Sequence, residues 1–151
     1  MNFIEPDLSE FLTYLEKLSP DSKPSWGNMS AQRMVEHLSD GINMSMGIGD
    51  FELEIPEDRI AKMQLFLESE KPMAQNIQVS FAPPNTPLRN SDLDAAIDEF
   101  TLAWVDFEEL YENEPTSSAM HPFYGILNFD QWKRLHSKHF THHFQQFDLI
   151  Q

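Results

Sequence analysis

The stretch Trp132-Lys133-Arg134-Leu135-His136-Ser137-Lys138-His139-Phe140-Thr141-His142-His143-Phe144-Gln145-Gln146-Phe147 decides how this chain is read, because it carries four of the protein's six histidines. Its apolar residues, with Phe129, recur at helical spacing and predict an amphipathic helix running to about Gln146. Asn128 with Gln131 supplies a capping pair at its start. Such a helix either carries histidine incidentally or presents metal ligands. The pairs His136/His139, His139/His142 and His139/His143 stand three or four residues apart and share a helix face. His136 and His143 are two turns apart, about 10 Å, too far for one ion.

Helical phase narrows the choice. The apolar face centres near His143 and His136, with His139 at its edge. His142 falls about 130° from that centre and is expected to face solvent. His139/His143 or His136/His139 remain, and the four-residue spacing favours the former. One helix fills only part of a tetrahedral shell, so a third ligand must come from another element. The remaining histidines are His37 and His121.

Outward from this helix, Leu93, Ile97, Phe100, Trp104, Phe107 and Tyr111 follow at steps of four and three, the clearest core-facing stripe in the chain. Ser91 with Asp94 is expected to cap that helix. Asp7 and Glu10 open a first helix with one buried stripe, and Ser30 caps a second whose apolar face is Ala31, Met34, Val35, Leu38, Ile42 and Met46. His37 falls on a flank of that face. Pro56 followed by acids starts a third, shorter helix that ends before Pro72. Residues 71–90 hold four prolines and read as a connection, with Ile77, Val79 and Phe81 alternating as in an extended segment. The expectation is a single all-α domain over residues 1–151. It is a four-helix bundle with an extra short helix and a long crossover.

Composition bounds the function. A net charge of −15 disfavours nucleic acid and anionic lipid as partners. No run approaches the roughly 18 apolar residues of a membrane span. The absence of cysteine excludes disulfides, thiolate ligands and a protein thiol nucleophile, and fits a cytoplasmic home. The acidic first residues lack the basic start of a secretory signal. No Gly-x-Ser-x-Gly elbow or Gly-rich phosphate loop is present.

Two stretches resemble a known group. Trp26-Gly27-x-Met29-Ser30-Ala31-x-x-Met34-x-x-His37-Leu38 resembles the start of the DinB/YfiT-like metalloprotein superfamily. His121-Pro122-Phe123-Tyr124-Gly125, Trp132 and the closing His139-x-x-His142-His143-x-x-Gln146-Phe147 resemble an uncharacterised bacterial branch of it. In that branch the glycine usually comes one residue sooner, so Tyr124 is a departure. The resemblance implies an up-down-down-up bundle and a divalent metal, zinc or nickel, held by His37, His139 and His143. It further implies a small-molecule substrate, a homodimer and chemistry with a low-molecular-weight thiol, as in transferases of the superfamily. In such an enzyme His121 and His136 are candidates for carrying protons or supporting the ligands. Trp26, Phe123 and Tyr124 are candidate pocket walls. A metal-dependent hydrolase and a non-catalytic binding or stress protein are the alternatives.

Overall fold

Two helices meet where the histidines are, and both start on side-chain caps. The Ser30 hydroxyl accepts from the Arg33 N–H and opens α2 (Ala31–Ser45). Asn128 and Gln131 form a reciprocal capping box at the start of α5 (Phe129–Gln146). Each cap satisfies amide donors that the first turn leaves orphaned. The computed structural model describes residues 2–151. Before α2 comes α1 (Leu8–Leu15), capped by Asp7. After it a 3-10 turn (Glu57–Arg59) leads into α3 (Ile60–Glu68). Then follow α4 (Leu93–Asn113), β1 (Ala119–His121), β2 (Gly125–Leu127) and α5.

The protein is therefore mostly helical, and the all-α expectation needs correction. β1 and β2 pair antiparallel, with Ala119 opposite Leu127 and His121 opposite Gly125. Strands of three residues are too short to display an alternating pattern in sequence. Pro122 has no amide donor and stops β1, while Gly125 adopts φ of +77° at the start of β2. A Cβ at Gly125 would also meet Ile60 of α3 at 3.2 Å. The cap of α4 is Asp92, which accepts from the Ala95 N–H, one residue beyond the expected Ser91. The expected extended segment at residues 77–81 reduces to an isolated bridge between Val79 and Ala82.

The core lies where α4 packs on α1 and α2, and where α5 packs on α2 and α3. Phe11 of α1 is fully buried and sets its ring edge-on to Trp104 of α4 and to Phe140 of α5, with centroids 4.9 Å away in each case. One aromatic thus ties three helices, and burying such a ring contributes about 1.5–3 kcal/mol. Among the described residues no helix is long and apolar enough to cross a membrane.

A buried carboxylate fastens the end of the long connection. Glu36 of α2 has no solvent exposure. It accepts from the Arg89 and Asn90 backbone amides at 3.0 and 3.1 Å, and from the Gln32 and Asn90 side chains. Arg89 then pairs with Asp40 at 2.9 Å and Glu99 at 2.7 Å. Burial alone would push the Glu36 carboxyl up, but these donors outweigh it and hold it below the ordinary value.

Candidate metal centre

Packing of α2 on α5 brings the ring of His37 against those of His139 and His143, with all three centroid separations at 4.8 Å. The rings meet through one type of atom. His139 Nε2 lies 2.9 Å from His37 Nε2 and 3.1 Å from His143 Nε2. One nitrogen from each ring falls within 4.8 Å of the others, a group close enough to bind a metal ion. Nitrogens on a tetrahedral ion at bond lengths of about 2.0–2.1 Å lie roughly 3.3 Å from one another, so a slight spreading of the rings accommodates one.

The protonation states suit this role. Burial pushes His37 down to about 4, helped by the positive charges of Arg33 and His142. Burial also holds His139 and His143 well below the ordinary histidine range, and the neighbouring rings add to it. All three are neutral at neutral pH, as imidazole ligands must be. His143 has its tautomer set. Its Nδ1–H donates to Gln146 Oε1 at 2.7 Å, which leaves Nε2 bare and aimed at its two partners. Gln146 is held in turn, because its Nε2 donates to the Trp26 carbonyl at 3.0 Å. Gln146 stands three residues after His143 on the same helix face, a spacing that flags it as a support for the ring.

His142 does not face open solvent as helical phase suggests. It is half-buried, with its ring 5.5 Å from that of Trp26, and it lies beside His143. The reason is that loop residues near Trp26 and Met73 cover this flank of α5, and a phase argument on one helix does not see them. Burial lowers His142, partly offset by the Met73 backbone. Its nitrogens are not in the converging group.

His121 and His136 stand apart from the cluster. His136 is buried, stacks between Trp132 and Phe140, and bonds Ser45 Oγ through Nε2 at 3.0 Å. His121 Nδ1 accepts from the Phe123 N–H at 3.0 Å. Neither hydrogen bond reaches a histidine of the cluster, so neither ring supports a ligand directly. Burial pushes both down to about 3. Neither is matched to carrying protons near neutrality.

All six histidines line one cavity of about 520 Å³. Met44, Met63, Phe66 and Phe81 give it an apolar wall, and Trp26, Phe123 and Tyr124 line it as well. Asp40 reaches its rim, but Arg33 and Arg89 occupy the two carboxylate oxygens.

A mostly helical protein thus sets three histidines, close enough together to bind a metal ion, on the wall of one cavity. Residues 2–149 match the family described as "Protein of unknown function (DUF1569)", and the chain belongs to that family. No curated protein and no solved structure matches it.

Proposed function

We propose that His37, His139 and His143 hold a divalent metal, zinc or nickel, in a small-molecule enzyme. The observation that carries this is the convergence of three Nε2 atoms with His139 Nε2 2.9 and 3.1 Å from the other two. Ring nitrogens this close are mutually repulsive unless a cation or a proton lies between them. Three protein ligands also leave a tetrahedral ion one open position, the pattern of a catalytic site. The reading includes the fold: α1, α2, α4 and α5 form an up-down-down-up four-helix bundle of the DinB/YfiT-like type.

Within that class we favour transfer or addition of a low-molecular-weight thiol to an electrophile. A divalent cation at this position supplies Lewis acidity that favours the ionised form of a small nucleophile bound there. The protein supplies little else for deprotonation, since burial holds His121 and His136 near 3. A thiol, with an ordinary value of about 8.5, ionises far more readily than water and needs the least help. The Met- and Phe-lined wall binds the apolar part of the electrophile and keeps bulk water out.

Metal analysis of protein purified without an affinity tag tests the site. One equivalent of metal is expected in the wild type and in His142→Ala, and its loss in His139→Ala. Equal loss in both variants would move the site to another histidine set. Turnover that persists after every thiol is removed would sink the thiol reading and leave hydrolysis.

A further inference from the structure

The deep wall of the cavity holds a second set of polar atoms that the metal reading does not use. Ser45 Oγ donates its proton to the Ile42 carbonyl. The same oxygen therefore accepts from His136, and Nε2 of His136 carries the ring proton. His136 Nδ1 is left as a bare acceptor with no protein partner among the described residues. His121 is the mirror case. Its Nδ1 accepts from the Phe123 amide, so its proton sits on Nε2, which is free as a donor. Both rings line the cavity, and each lies 5.7 Å from the ring of Trp132.

We propose that His121 Nε2–H and His136 Nδ1 form a recognition site for an uncharged group that both accepts and donates hydrogen bonds, a carboxamide being the fitting class. The proposal rests on reading the cavity as a substrate pocket, but its site is distinct from the three-histidine cluster. A carboxamide oxygen accepts from the His121 donor, and its N–H matches the His136 acceptor. A carboxylate has no N–H to give and turns a lone pair on His136. An ester lacks the donor that His136 requires. The pair thus selects by protonation pattern, and sites of this kind reject analogues more sharply than apolar contacts do.

The test uses three isosteric probes, phenylacetamide, phenylacetate and methyl phenylacetate, titrated into the full protein by calorimetry. The amide is expected to bind at least tenfold more tightly than either other probe. His136→Phe and His121→Phe are expected to weaken it at least tenfold, with thermal melts checking that each variant folds. Added chelator is expected to leave amide binding unchanged, so that failure of the metal reading and failure of this one appear separately. Should a variant fail to fold, the ¹⁵N shifts of the wild-type protein decide. His136 is expected as the Nε2–H tautomer, and its Nδ1 signal is expected to move on adding the amide. Acetate-type binding equal to the amide, loss of amide binding with chelator, no saturable binding of any probe, or an unmoved Nδ1 signal would each overturn the proposal.

Discussion

His143 and Gln146 stand one helical turn apart and are joined side chain to side chain, Nδ1 to Oε1 at 2.7 Å. Through Gln146 the ring of His143 is tied to the Trp26 carbonyl, 120 positions earlier in the chain. Gln146 is a positioning residue. Gln146→Leu is expected to weaken metal affinity about 10–100-fold, the usual cost of losing an outer support. Gln146→Glu retains the acceptor and is expected to recover most of it. Competition titration against a chromogenic chelator reads both, and an unchanged affinity in Gln146→Leu would remove Gln146 from the site.

Metal removal provides a second measurement. A ligand that binds only the folded state stabilises it by about 2.7 kcal/mol at a hundredfold excess over its Kd. Zinc or nickel is therefore expected to raise the wild-type melting temperature and chelator to lower it. His37→Ala, which removes the contribution of α2 to the cluster, is expected to abolish that difference. A full metal response in His37→Ala would show that α5 binds the ion without α2.

Acid is expected to destabilise the protein through its inner histidines. Free histidine titrates near 6.5, while burial holds His121 and His136 at about 3 in the folded state. Between those values the unfolded chain takes up protons that the folded chain refuses. Stability present above pH 6.5 is therefore lost as pH falls toward 3, by at most about 1.4 kcal/mol per pH unit for each ring. His136→Phe is expected to flatten the slope by roughly one proton. Urea unfolding in chelator at pH 7, 6 and 5 checks this, and parallel slopes in the two proteins would refute it.

Glu36 is expected to be among the costlier residues to truncate outside the core. Glu36→Ala leaves the Arg89 and Asn90 amides without their acceptor and Arg33 with Asp40 as its remaining carboxylate. A loss of about 3–5 kcal/mol is expected, as for breaking a buried charged network. Glu36→Gln preserves shape and one acceptor and is expected to cost less. Early proteolysis within residues 71–90 of Glu36→Ala would report release of that connection. Equal stability of the two variants would show that the buried charge is not what holds it.

Much of this was readable from residues alone, and the exceptions share one cause. The helices showed through periodicity, and Ser30 and Asn128 cap α2 and α5 as their neighbours predict. His139 and His143 share a face because four residues span about one turn. His37 was on a flank by phase, and only the resemblance assigned it to the cluster. What escaped was set by contacts distant in sequence. Glu36 looks like a solvated residue because its donors lie 53 and 54 positions away. His142 looked exposed because the loop that covers it is invisible to helical phase. The β1–β2 hairpin is too short to carry a period, and Asp92 displaced Ser91 because adjacent polar residues compete for one capping position.

The 102-residue separation of His37 from His139 also has a meaning for biosynthesis. At about 5–20 residues per second, translation delivers α2 roughly 5–20 s before the ring that must face it. During that interval the nascent chain holds a single histidine of the cluster and has no means of grasping an ion. If the cluster holds a metal as proposed, the ion enters only once α5 has docked, and ion content in newly made protein records completion of the tertiary structure. A pulse-chase comparison of protease resistance with incorporated metal would show the two appearing together.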